Sequence, residues 1–161
     1  MKNYWLFKSE PDVFSFEDLK ARPHQTEPWT GVRNFQARNY LRDSVNQGDH
    51  VLFYHSSCPQ PGVAGVMRIG SPPYPDSTQF DPSDDAFDPK ATAEKPIWFA
   101  VDVVWEKDLK HPVGLDRLRQ SPSLTEMITL RKGNRLSITP VTATEFKIIL
   151  KLSQTAGTSG K

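Results

Sequence analysis

The chain has 161 residues, 37% of them hydrophobic and 24% charged, with a formal net charge of +1. This is enough apolar material for one folded domain and too much for a compositionally disordered chain. A single cysteine, Cys58, excludes an intramolecular disulfide, and no run approaches the roughly 20 apolar residues of a membrane span.

One unpaired cysteine points to a reducing compartment. The opening Met1–Glu10 stretch lacks the long apolar core and cleavage site of a signal peptide. A cytoplasmic location is expected, with access to the nucleoid in a bacterium or to the nucleus in a eukaryote. Charge is unevenly spread. Residues 72–96 carry Asp76, Asp81, Asp84, Asp85, Asp88 and Glu94 against only Lys90 and Lys95, which leaves a modestly basic body.

Tyr4–Ser9 reads as a first strand whose continuous apolar run requires cover on both faces. Lys8, Ser9 and Glu10 end it, placed to line a cavity mouth, and Pro11 cannot continue a central ladder. Ser15 caps a short helix over residues 15–20, and Pro23 stops it. Residues 24–28 form a polar connection.

Trp29-Thr30-Gly31-Val32-Arg33-Asn34-Phe35-Gln36-Ala37-Arg38-Asn39-Tyr40-Leu41-Arg42 opens with a Trp and a Gly and then reads as a helix. Helical spacing puts Asn34, Ala37, Arg38, Leu41 and Val45 on one face. Two readings are open. One is a core helix whose arginines reach water. The other is a pocket with Trp29 as a flat wall and Arg33, Asn34 and Arg38 as polar recognition groups.

Val51–His55 reads as a second strand with Val51, Phe53 and His55 on one face and Leu52 and Tyr54 on the other. Val63–Ile69 is a third, with Gly62 and Gly65 permitting close approach or a bulge. The proline-rich segment 72–96 has no hydrophobic period and reads as an ordered wrap pinned by Tyr74, Phe80 and Phe87. Ile97–Trp105 is the strongest strand. Asp102 within it calls for a cation or donors, with an arginine as the expected partner. Short helical segments follow at 115–119 and 124–130. Arg135–Thr139 alternates as a strand closed by Pro140, and Thr142 to Glu145 is a capping box opening a last helix through Lys151. The sum is α+β: about five or six strands in a mixed, barrel-like sheet with peripheral short helices.

Phosphate-loop, dinucleotide-binding and nucleophile-elbow motifs are absent. His55 and Cys58 lie three residues apart, weak grounds for a thiol–imidazole pair. His50, His55 and Cys58 lack a fourth metal ligand at standard spacing, and the acidic cluster 81–88 lacks the spacing of a calcium loop. Recognition remains. Trp29, Tyr54 and His55 stand beside polar groups, and aromatic walls with a few polar groups are how proteins hold an extruded base.

Tyr4–Pro11, Trp29–Arg42, Phe53–Ser56, Pro61–Gly65, Tyr74–Asp76 with Gln79–Asp81, and Arg135–Pro140, in this order, closely resemble the EVE domain family over roughly residues 3–151. The resemblance implies a PUA-like mixed β-barrel related to the YTH readers of methylated RNA. It implies binding of a modified nucleobase, chiefly modified cytosine in DNA with a modified RNA base as the alternative, and no catalysis. No cofactor, metal or membrane partner is expected, and protein partners are left open. Carried over, Lys8 and Ser9 approach the pocket, and Trp29 is a stacking wall. Val32, Arg33 and Asn34 form one edge, Tyr54, His55 and Ser56 another, and Arg135 and Ser137 reach the nucleic acid from the late strand. Arg38 is expected to pair with Asp102 or a similar carboxylate inside the fold. Residues 1–152 form the domain, and 153–161 are expected as a flexible tail. Two other readings compete: an enzyme acting on a nucleobase or nucleotide with His55 or Glu10 as general base, and an interaction module using loop 72–96.

Overall fold

A computed structural model describes residues 3–156. β1 (Tyr4–Ser9) and β3 (His50–His55) run parallel and side by side, pairing Phe7 with Phe53 and Lys8 with Tyr54. Both are apolar on both faces because the sheet separates two cores. Trp5, Phe7, Val51 and Phe53 enter one, and Leu6, Leu52 and Tyr54 enter the other. β4 (Gly62–Ile69) returns antiparallel to β3. β6 (Phe99–Gly114) is 16 residues long and pairs with β4, with β2 (Thr26–Trp29) and with the two-residue β5 (Tyr74–Pro75). β7 (Ile138–Val141) pairs antiparallel with β1.

The sheet has seven strands in the order β2-β6-β4-β3-β1-β7, with β5 beside β6. The sequence reading of five or six strands undercounts because β2 is polar and contains Pro28, and β5 is only two residues long. Neither carries an alternating pattern of its own; each exists through its pairing to β6. The sheet curls without closing. Trp29, on the outer strand β2, packs its ring 5.5 Å from Phe7 on β1 and 5.5 Å from Phe53 on β3. No pairing joins β2 to β7 among the described residues.

Local capping fixes two helices. In α1 (Phe16–Ala21), Ser15 Oγ accepts from the Asp18 N–H at 3.0 Å and Asp18 Oδ2 accepts from the Ser15 N–H at 2.9 Å. In α4 (Ala143–Leu152), Thr142 and Glu145 exchange the same pair at 3.1 and 3.0 Å. α3 (Leu115–Gln120) follows β6. α2 (Phe35–Asn39) is only five residues, continued by a π-helical turn over Tyr40–Ser44.

Three expectations are corrected. The helix that follows Trp29 and Gly31 is shorter than the spacing suggests: Asn34 is its N-cap, its Oδ1 accepting from the Ala37 N–H at 3.0 Å, and Val45 is extended beyond the last turn. Arg135–Ser137 lie before β7 rather than in it, and Pro140 sits inside β7, where an outer strand has no neighbour to miss its donor. Asp102 meets no arginine among the described residues. Tyr74 Oη donates to it at 2.5 Å, whereas Arg38 donates to the Ile97 carbonyl at 2.7 Å.

The segment 72–96 is an ordered wrap, but polar groups hold it. Phe80 and Phe87 are 36% and 37% exposed. Buried Gln79 does the pinning: its amide donates to the Asp76 and Trp98 carbonyls, and its Oε1 accepts from the Ile97 and Trp98 N–H groups, all at 2.8–2.9 Å. At the C-terminal side, Ser153 is buried and its carbonyl accepts from the His111 N–H at 3.0 Å. Residues 157–161 of the expected tail lie outside the described residues. No helix among the described residues is long and apolar enough to cross a membrane.

Candidate nucleic-acid interface

Where the curled sheet brings β2 toward the ends of β1 and β7, a seam opens. It holds a cavity of about 520 Å³ lined by Lys8, Ser9, Val13, Phe14, Arg22, Glu27, Pro28, Trp29, Thr30, Gly31, Val32, Arg33, Asn34, Arg135 and Ser137. A second cavity of about 550 Å³ adjoins it, sharing Lys8, Ser9, Val13, Gly31, Arg135 and Ser137 and adding Glu10, Ser56, Ser57 and Asn134. Each volume falls in the range, roughly 300–1,000 Å³, of small-molecule sites.

Trp29 lines the first cavity from within the core. It is 8% exposed and clamped by Phe7, Phe14 and Phe53, so it supplies a rigid floor rather than a free plate. Arg33 shapes the wall without facing a guest. It donates to Asp76, to Thr78 Oγ1 and to the Val32 and Ala86 carbonyls at 2.7–3.0 Å. Asp76 is buried and also accepts from the Gly31 N–H at 2.8 Å. Burial pushes its carboxyl up, but hydrogen bonds from Thr78, the Gly31 N–H and Arg33 outweigh this and hold it below the usual carboxylate range. Gly31 has φ +85°, a conformation that glycine adopts without strain and that turns the chain from β2 into the wall. Arg22 and Glu27 form an ion pair at 3.0 Å on the rim.

The free polar capacity lies opposite Trp29. Lys8 donates its backbone N–H to the Ser137 carbonyl at 2.8 Å, extending the ladder past β7. Its ammonium lies 5.7 Å over the Tyr54 ring and has no ion-pair partner among the described residues, and burial pushes its pKa down. Arg135 is exposed and likewise in no ion pair there. The cavity thus offers aromatic and apolar walls, backbone edges and two uncommitted cations. That combination suits a planar, polar heterocycle attached to an anionic backbone.

Of the residues expected at the pocket, Lys8, Ser9, Trp29, Val32, Arg33, Asn34, Arg135 and Ser137 come together on the first cavity, and Ser56 lines only the second. Tyr54 and His55 line neither. Tyr54 is 4% exposed in the second core. His55 Nε2 accepts from the Phe16 N–H at 3.1 Å, and burial pushes its pKa down, which favours the neutral, accepting ring. Val13, Phe14, Arg22, Glu27, Pro28, Thr30 and Gly31 escaped the sequence reading. Only Gly31, between a tryptophan and a helix, carried a local signal. His50 and His55 stand at opposite ends of β3, about 16 Å apart at the strand's rise, and among the described residues no group of three or more His, Cys, Asp or Glu could hold a metal.

The profile of the EVE domain matches residues 3–152. Thymocyte nuclear protein 1 of Mus musculus is 43% identical over 171 aligned positions, which span 96% of this chain and 75% of that protein. The crystal structure of human THYN1 protein in complex with 5-methylcytosine-containing DNA matches with a TM-score of 0.91 at 40% identity, covering 97% of this chain and 100% of that one. The YTH domain of Zygosaccharomyces rouxii MRB1 protein, solved in complex with N6-methyladenosine RNA, matches with a TM-score of 0.53 at 20% identity over 99% of this chain and 92% of that one, a likeness of fold alone.

Proposed function

This chain belongs to the EVE domain family, and from that premise we propose that it is a non-catalytic module that binds nucleic acid through one modified base, chiefly modified cytosine in DNA, held in the cavity beside Trp29. The observation that carries the reading is the human THYN1 structure with 5-methylcytosine DNA, whose fold this chain shares along nearly its whole length.

The energetics fit a single-base mechanism. Extruding a base costs a few kcal/mol, and stacking on aromatic groups returns ~1–3 kcal/mol. With a net charge of +1, phosphate contacts alone give weak, salt-sensitive binding, so selectivity falls to the cavity. Burying one methyl group contributes about 0.8 kcal/mol, roughly fourfold in affinity. Val32, buried at the cavity wall, and Pro28 supply apolar surface for it. Lys8 and Arg135 supply the cations for a base edge or its flanking phosphates. The reading places the protein where nucleic acid is, the nucleoid of a bacterium or the nucleus of a eukaryote.

The enzyme reading finds less support. The Nε2 of His55 is already occupied by the Phe16 N–H and neither cavity is lined by that ring, which leaves Glu10, on the second cavity and not beside Trp29, as the one candidate base. The test is titration of otherwise identical oligonucleotides carrying one cytosine, 5-methylcytosine or 5-hydroxymethylcytosine, in DNA and in RNA. At least fourfold tighter binding to a modified strand is expected. Equal affinity for all of them overturns the reading.

A further inference from the structure

A lone exposed valine is ordinary on a protein surface. Val13 is distinguished by its place. It is 77% exposed, the highest value among the large apolar side chains of the described residues, and it lines both cavities. It therefore stands where the two cavities adjoin, with its side chain largely open to solvent.

Its backbone is stiff. Val13 and Phe14 both donate their N–H groups to the Glu10 carbonyl at 2.9 Å, closing a tight turn. Ser9 Oγ donates to the Phe14 carbonyl at 2.6 Å and fastens that turn to the end of β1. The Phe14 ring is seated against Trp29 and Phe53, each 6.2 Å away. A β-branched side chain on such a base has little rotamer freedom to lose on insertion. Lys8 and Arg135 are the two cations common to both cavities, so positive charge for a nucleic-acid backbone lies beside Val13.

We propose that Val13 is a wedge: when a base of a duplex enters the cavity beside Trp29, Val13 occupies the gap left in the stack and keeps the flanking bases from closing over it. Apolar side chains inserted between base steps are an established way to hold a duplex open. The inference rests on the base-binding reading above and adds a partner, double-stranded rather than single-stranded nucleic acid, with a residue that acts on the duplex and not on the bound base.

The experiment compares wild type, Val13→Ser and Val13→Leu on two probes. One is a DNA duplex with a single central 5-methylcytosine, and the other is the same methylated strand alone. A wedge matters only where a gap must be held open. Val13→Ser is expected to weaken duplex binding at least tenfold and single-strand binding less than threefold, while Val13→Leu keeps duplex binding within threefold of wild type. Equal losses on both probes make Val13 part of the cavity wall and overturn the proposal, as does unchanged duplex binding by Val13→Ser. Wild type that binds only the single strand overturns it too, without touching the base-binding reading. That reading fails separately, if wild type does not distinguish methylated from plain cytosine.

Discussion

Arg33 Nη1 lies 3.0 Å from Asp76 Oδ2, and the Asp76 side chain is fully buried. This pair joins the cavity wall at 31–34 to the proline-rich wrap and, with the hydrogen bonds of Gln79, holds in place a segment without a hydrophobic period. Removing one partner strands the other's charge or donors. Asp76→Ala leaves Arg33, the Gly31 N–H and Thr78 without their acceptor, and a loss of about 3 kcal/mol in denaturant-measured stability is expected.

The same pair sets an acid limit. Asp76 has a folded-state pKa below its ordinary 3.8. Its stabilisation is therefore complete above that value and disappears as pH falls through the folded pKa. Melting temperatures recorded from about pH 6 to about pH 2 should fall at the acid end. Asp76→Asn should lower the plateau and flatten that descent. An unchanged profile in the variant would mean other carboxylates govern acid unfolding.

Gly65 is held by packing rather than by backbone conformation. A Cβ there would stand 2.1 Å from the Phe16 ring, which is 2% exposed and cannot swing away. Gly65→Ala is expected to cost about 2–3 kcal/mol, within the range for overpacked cores. Phe16→Leu in the same chain should return part of that loss, and a double-mutant cycle by chemical denaturation reads the coupling directly. Strict additivity would place the clash elsewhere.

What the sequence made legible was local. The N-cap at Ser15 and the capping box at Thr142 are patterns of a few residues, and both form as read, with Asp18 completing a second box at Ser15. β1, β3 and β4 were legible because their apolar runs exceed what one face needs. β2 was not, because Thr26–Trp29 is a strand only by virtue of β6, some 75 residues on. Arg38 and Arg33 look alike in the sequence. Which of them meets a buried carboxylate depends on the path of the wrap, and no local pattern encodes that. Tyr54 and His55 are a similar case. Tyr54 enters the second core and the His55 ring is taken by the Phe16 N–H, and both outcomes depend on partners distant in the chain rather than on the strand's own pattern.

Trp29 serves the fold and the cavity together. Truncating it empties a core position between Phe7, Phe14 and Phe53, and Trp29→Ala should cost about 3–5 kcal/mol. Lost binding by that variant would then report lost structure. Trp29→Phe is the informative change. It keeps most of the packing and shortens the cavity floor, so stability should drop by about 1–2 kcal/mol while the preference for methylated over plain cytosine narrows. Parallel melts and titrations separate the two effects.

Lys8 presents the opposite trade. Burial pushes its pKa below the ordinary 10.5, so the charged form is disfavoured in the folded protein. The unfolded chain holds that proton more tightly, and stability therefore rises with pH between the folded pKa and 10.5. On the base-binding proposal, an anionic nucleic-acid backbone would compensate for that cost. Lys8→Met is expected to leave the free protein as stable as wild type or more so at neutral pH. The same change should weaken oligonucleotide binding about three- to tenfold and reduce the salt dependence of log K by about one phosphate contact. A variant that loses stability but keeps its salt slope would assign Lys8 to packing against Tyr54 instead.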